Sequence, residues 1–267
     1  MIDLHSHVLP GLDDGPQHME GSVALARAAA AVGTRTLVAT PHIRDDHPFA
    51  IEAIEEGVAS VNTALTEAKV DLRVLAGAEV ALSNAAELDD ATLHTLCLGA
   101  GPYLLVESPH THAPELVERV LFDLQTRGFR PVLAHPERSP SFLSDPDRLR
   151  RILERDVLCS VTALSMVGGF GGVPRSFSSR LFAEGLVHNV ASDAHDSRRR
   201  PPGLLRGFQQ LDADLPGLVE QSDWFTREVP QAIVTGQDLP PAPSPPERAG
   251  CWRRRVSLRR MGARQAA

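Results

Sequence analysis

Hydrophobic residues in the first 235 or so positions fall into two alternating patterns. Short apolar runs, often β-branched and bounded by Gly, Pro or polar residues, recur at 2–4, 36–40, 72–77, 103–107, 131–135, 157–162 and 187–192. Runs of this kind suit strands buried on both faces of a parallel sheet. Between them lie segments at 21–32, 49–68, 114–127, 146–155 and 175–185 that follow a helical pattern. PELVERVLFDLQTRG shows the three- and four-residue apolar spacing and ends on a helix-stopping Gly. Strand and helix alternate, so the expected class is α/β with a parallel sheet. Seven such units predict a distorted (β/α)7 TIM-like barrel, one strand short of the usual eight. The stretch 81–101 follows neither pattern clearly.

After Gln237 the chain changes character: DLPPAPSPPERAGCWRRRVSLRRMGARQAA begins Pro-rich and ends Arg-rich. With little to pack, residues 238–267 are expected to form a disordered tail beyond a folded unit at 1–237. A basic arm for an acidic surface is the functional alternative to an inert extension.

A hydrophobic content of 42% and a charged content of 23% are ordinary for a globular chain and exclude disordered, collagen-like and coiled-coil classes. Seven Arg against one Glu in residues 241–267 give that segment a net +6, so the remainder carries −13 of the overall −7. An acidic body argues against nucleic acid as the main partner. No apolar run reaches the ~20 residues of a membrane helix, and MIDLHSH lacks the basic start of a signal peptide. Three scattered cysteines, Cys97, Cys159 and Cys251, form neither a disulfide framework nor a thiolate zinc site. The expected location is the cytoplasm, and the oligomeric state is left open.

The informative polar residues sit at the ends of the apolar runs. His5 and His7 close the first, with Asp14 in the following loop. His42, Glu79, Glu107 and His135 close the second to fifth, and Asp193 and His195 close the last. In a (β/α) barrel these ends converge on one rim, where active sites form. Five imidazoles and four carboxylates without a thiolate suit Mn²⁺, Fe²⁺ or Zn²⁺ better than all-oxygen Mg²⁺ or Ca²⁺. Nine donors exceed the need of one ion, and three divalent ions sharing carboxylates fit the number. Such a cluster would be net positive, which suits a dianionic phosphate monoester. Arg138 in HPER and Arg200 after SDAH could add bidentate phosphoryl contacts, whereas Arg198 and Arg199 read as surface residues.

IDLHSHVLPGLDDGPQ, then ATPH, GAE, LAHPER and SDAH followed by RPP, resemble the motifs of the PHP (polymerase and histidinol phosphatase) superfamily. Within it the chain is similar to the bacterial manganese-dependent protein-tyrosine phosphatases of the CpsB/YwqE type, over roughly residues 1–237. The resemblance implies three metal sites: His5, His7, Glu79 and Asp193; Glu79 as a bridge with Glu107 and His135; and Asp14, His42 and His195. It also implies that Arg138 and Arg200 bind phosphate. The implied substrate is the phosphotyrosine tail of a bacterial tyrosine kinase controlling capsule or exopolysaccharide export. The loop residues His47, His110 and His112 are expected to be solvent-exposed, and MVGGFGGVP to be a flexible loop at the rim.

The expected mechanism is direct hydrolysis by a hydroxide held between metal ions, without a phosphoenzyme. A cysteine phosphatase does not fit, because Tyr103, Ser165 and Ser257 stand where a Cys-x₅-Arg loop would need arginine. Three rivals remain: a PHP phosphatase for a small metabolite such as histidinol phosphate, an amidohydrolase, and a catalytically silent metal-binding regulatory module. The amidohydrolase is the weakest, since such enzymes bridge their metals through a modified lysine and the one lysine, Lys69, ends a predicted helix.

Overall fold

Every paired strand among the described residues, 1–108 and 114–249 of the computed structural model, runs parallel to its neighbours. β1 (Ile2–Ser6), β2 (Thr36–Ala39) and β4 (Arg73–Ala76) form one sheet in the order β1-β2-β4. The second runs β3 (His42–Ile43), β5 (Glu79–Ala81), β6 (Tyr103–Glu107), β7 (Arg130–Ala134), β8 (Leu158–Thr162) and β9 (Asn189–Ala191). β1, β6 and β8 are buried along their whole length, as continuous apolar runs in a parallel sheet require.

The expected second and third strands are each broken in two. Pro41, between β2 and β3, has no N–H to give to a ladder. Between β4 and β5, a Cβ on Gly77 would lie 2.8 Å from Val38 Cγ1 and 3.0 Å from Leu98 Cδ2, so any larger residue would have to push those buried side chains aside. Pairing resumes where the Glu79 N–H donates to Pro41 O at 3.1 Å and His42 comes into register with Glu79. At the other side of the structure, Ser6 bridges to Ala194, the His7 N–H donates to Ala194 O and the Asp193 N–H donates to His5 O, both at 2.9 Å. The end of β1 is thereby joined to the chain leaving β9.

Helices connect the strands: α1 (Met19–Ala31), α2 (Glu52–Glu67), α3 (Leu82–Ala85), α4 (Asp90–Thr95), α5 (Pro114–Thr126), α6 (Pro140–Ser144), α7 (Pro146–Leu153), α8 (Ala163–Met166), α9 (Gly172–Ala183), α10 (Leu205–Leu211) and α11 (Val229–Thr235). α2 buries Ile54, Val61 and Leu65 at helical spacing, and Asn62 docks it by hydrogen bonds to both the N–H and the carbonyl of Val74 in β4. The unclear stretch 81–101 holds the last residue of β5, then α3 and α4, the latter capped by Asp89 accepting from the Thr92 N–H at 2.8 Å. No helix among the described residues is long and apolar enough to cross a membrane.

The expected tail behaves differently over its first part. Leu239 packs against the core, Pro246 is buried, and Gln221 Nε2 donates to Ser244 O at 3.1 Å. The Ala249 N–H donates to Asp214 O at 2.9 Å. Residues 238–249 thus lie on the body, and Pro243, Pro245 and Pro246 border a small cavity together with Phe182, Trp224 and Phe225. The Arg-rich part from 250 onward lies outside the described residues.

Candidate metal centre

The nine expected donors come together, drawn from strands of both sheets and the loops beside them. His5 lies in β1 and His7 follows it directly. Their Nε2 atoms approach to 3.1 Å, as side chains two apart on a strand should. Glu107 is the last residue of β6, and His135 follows β7. His42 and Glu79 differ from expectation: they open β3 and β5 rather than closing the strands before them. The breaks at Pro41 and Gly77 re-aim them toward the centre.

Glu79 is fully buried at the middle of this set. Its Oε2 lies 3.1 Å from His5 Nε2, 3.5 Å from His7 Nε2 and 3.0 Å from His42 Nδ1, and its Oε1 lies 2.8 Å from His135 Nε2. Asp193 Oδ1 stands 3.4 Å from both His5 Nε2 and His7 Nε2. His195 Nε2 reaches Asp14 Oδ1 at 3.1 Å, and Asp14 is the half-exposed member at the opening. Three groups converge closely enough to share a cation: His7, Asp14, His42 and His195; His5, His7 and Asp193; and His42, Glu79 and Glu107. His7 and His42 each belong to two groups, so the sets overlap more than the expected partition. His135 stays beside the third group, 3.6 Å from Glu107 Oε1.

Two of these residues sit on unfavourable backbone. His135 has φ of 33° and Asp193 φ of 53°, in the left-handed region that costs a non-glycine residue about 1–3 kcal/mol.

The electrostatics favour cations. Burial alone would lower the His5 and His7 imidazoles, but Glu79, Asp193 and, for His7, Asp13 outweigh it and hold both above the ordinary range. Burial would likewise raise Glu79 and Asp193, yet the surrounding imidazoles, and Arg200 beside Asp193, hold both carboxyls well below theirs. His195 is the exception, since burial lowers it despite Asp14. Buried His42 Nδ1 and Glu79 Oε2 have no hydrogen-bond partner, although they face each other. Unpartnered donor atoms aimed at a common point, drawn from imidazole and carboxylate alone, fit a divalent cation of the Mn, Fe or Zn type.

The arginines frame this centre. Arg138 lies in a 3₁₀ turn, Pro136–Arg138, and its Nη1 donates to Asp193 Oδ2 at 2.7 Å. Arg200 Nη2 donates to the same oxygen, and its Nη1 is 2.9 Å from His195 Nε2. Arg198 and Arg199 point outward, as expected.

Several contributors were not anticipated. Asp13, the first acid of the doublet in GLDDGP, accepts from His7 Nδ1 at 2.6 Å and from the His42 N–H at 3.2 Å. Nothing in the doublet says which carboxylate faces the centre and which supports it. Glu137 is buried and accepts from the Thr162 N–H and Ser165 Oγ, which fixes the turn bearing Arg138. Arg44 Nη1 stands 3.5 Å from Glu107 Oε2. His47 is half-buried and stacks on His42 with ring centroids 5.5 Å apart, contrary to the expected exposed loop position. His110 and His112 lie outside the described residues. The MVGGFGGVP loop is hydrogen-bonded rather than loose: the Gly168, Gly169 and Gly171 N–H groups donate to Ser165, Leu164 and Gly168 carbonyls. Lys69 follows the end of α2, away from these donors.

The chain is 37% identical over 204 residues to the tyrosine-protein phosphatase YwqE of Bacillus subtilis (strain 168), covering 75% of this chain and 79% of that protein. It is 31% identical over 246 residues to the tyrosine-protein phosphatase CpsB of Streptococcus pneumoniae, covering 89% and 99%. Its fold superposes with a TM-score of 0.82 and 32% identity on a solved structure from work on YwqE of Bacillus subtilis and CpsB of Streptococcus pneumoniae, described as unique metal-dependent tyrosine phosphatases; the match covers 93% of this chain and 99% of that one. D-hydantoinase, with a TM-score of 0.51 and 14% identity, is similar in fold alone. The family model for capsular polysaccharide synthesis, CpsB/CapC, matches residues 1–216, and the chain belongs to that family.

Proposed function

We propose that this protein is a metal-dependent protein-tyrosine phosphatase that hydrolyses phosphotyrosine on a bacterial tyrosine kinase of capsule or exopolysaccharide synthesis. The observation that carries this is the arrangement around Asp193: one oxygen faces the His5–His7 pair while the other gathers two guanidinium groups. Such a site pairs a cation cradle with phosphoryl-binding donors. Its ligands are proposed to be His5, His7, Asp14, His42, Glu79, Glu107, His135, Asp193 and His195, holding three divalent ions, with Mn²⁺ the first choice and Fe or Zn the alternatives. The strands are proposed to complete the distorted (β/α)7 barrel, with the Ser6–Ala194 bridge as its seam and residues 1–237 as the catalytic unit. The cytoplasm, where the kinase tail would lie, is the proposed location.

Divalent ions held by these residues would supply Lewis acidity toward a phosphoryl oxygen and a water nucleophile near neutral pH. Arg138 and Arg200 then orient the phosphoryl group in line with attack and balance the charge that grows on its oxygens. The tyrosine phenol, with an ordinary pKa of about 10, leaves with little acid assistance. Cys97 and Cys159 are poor nucleophiles, because burial pushes the Cys97 thiol up to about 12 and that of Cys159 well above its usual value. Turnover of a phosphotyrosine peptide by the Mn²⁺-loaded enzyme, lost in Asp193→Ala and His135→Ala, is the expected result. Faster turnover of histidinol phosphate would reassign the substrate, and full activity in either variant would remove the ligand assignment.

A further inference from the structure

Phe170 stands beside both arginines. The Arg138 Cζ lies 4.5 Å from the centroid of its ring and the Arg200 Cζ 5.8 Å from it. Two like charges are thus gathered at one aromatic ring as well as at one carboxylate oxygen.

These two holds differ in kind. Asp193 neutralises guanidinium charge and occupies N–H donors, and its oxygens are claimed by the cation cradle as well. An aromatic ring attracts a guanidinium through its quadrupole while leaving the charge and the N–H donors free for an anion. A neutral ring is therefore the better hold for arginines that must turn toward phosphate.

The backbone around Phe170 depends on glycine. Gly168 and Gly171 take φ of 81° and 96° on either side of Phe170. A Cβ on Gly169 would lie 2.4 Å from Leu164 Cγ, so the loop closes on α8 only with glycine there. Phe170 itself stays half-buried rather than joining the core.

We propose that Phe170 is a positioning residue that holds Arg138 and Arg200 ready for the phosphoryl group. The proposal rests on the reading of those arginines as the phosphate-binding pair. The test compares Phe170→Leu, which keeps bulk and removes the ring quadrupole, with Phe170→Tyr, which retains an aromatic face. Phe170→Leu in the Mn²⁺-loaded enzyme should lower kcat/KM on a phosphotyrosine peptide about tenfold, the scale of a partly desolvated cation–π contact. Binding of inorganic phosphate, followed by calorimetry, should weaken similarly, with metal content and melting temperature unchanged. Phe170→Tyr should recover most of the loss. In the Arg138→Ala, Arg200→Ala background, Phe170→Leu should add less than a twofold further loss. Unchanged phosphate affinity in Phe170→Leu, or an undiminished effect without the arginines, overturns the positioning role. If the arginine double variant itself binds phosphate as tightly as the parent, the phosphate-binding reading fails first and this proposal with it.

Discussion

Asp13 Oδ2 lies 2.6 Å from His7 Nδ1, and that contact turns the opposite nitrogen of the ring toward Glu79 and Asp193. Burial opposes ionisation of Asp13, yet His7 and the Gly15 N–H hold its carboxyl below the usual range. A carboxylate behind a ligating imidazole fixes the tautomer and raises the basicity of the ligand nitrogen. Asp13→Asn should therefore weaken metal affinity about 10- to 100-fold while the chain stays folded. Titration of the metal-free protein with Mn²⁺ measures this directly, and unchanged affinity would show that His7 needs no such support.

Arg138 is anchored from behind by the buried Glu137 and touches Asp193 only through its guanidinium. Arg138→Ala is expected to slow turnover by on the order of 10²-fold, the scale for losing one transition-state donor. Metal content, measured by elemental analysis, should remain at the parental value. A variant that loses its ions instead would make Arg138 a support of the cradle.

His188, well away from this centre, gives a separate pH signature. Its Nδ1 accepts from the Cys159 N–H at 3.1 Å, and burial lowers its pKa from 6.5 to about 4. Below 6.5 the unfolded chain takes up a proton that the folded one refuses, so stability falls as pH drops from 6.5 toward 4. Between pH 7 and pH 5 the loss from this residue is about 2 kcal/mol. Urea unfolding of the metal-free protein should show a correspondingly flatter pH profile in His188→Gln. Parallel profiles would mean that His188 titrates alike in both states.

The sequence made the architecture legible because strands buried on two faces must be written as unbroken apolar runs. β6 is visible in YLLVE for that reason. The candidate donors stood out because imidazole and carboxylate at the ends of such runs have no packing role, and the fold does bring them together. Local breaks were harder to read: the two-residue β3 carries no periodicity, and Gly77 is crowded by Val38 and Leu98, which are distant in sequence. Support residues were hidden for a similar reason. Asp13 and Asp14 are chemically identical neighbours, and only the folded loop turns one inward behind His7. Phe170 carries no local signal in its glycine run, since its partners lie 32 and 30 residues away. The proline segment at 240–246 reads as unstructured because its tether, Gln221 to the Ser244 carbonyl, is distant in sequence.

The left-handed turns at His135 and Asp193 set fold and chemistry against each other. Glycine at either place would relax the main chain but strip a donor from the cradle. Selection for heat tolerance alone would drift toward such replacements, whereas selection for catalysis must keep the awkward residue and find its compensation elsewhere. These two positions mark where a more durable version of the molecule would most easily become an inert one.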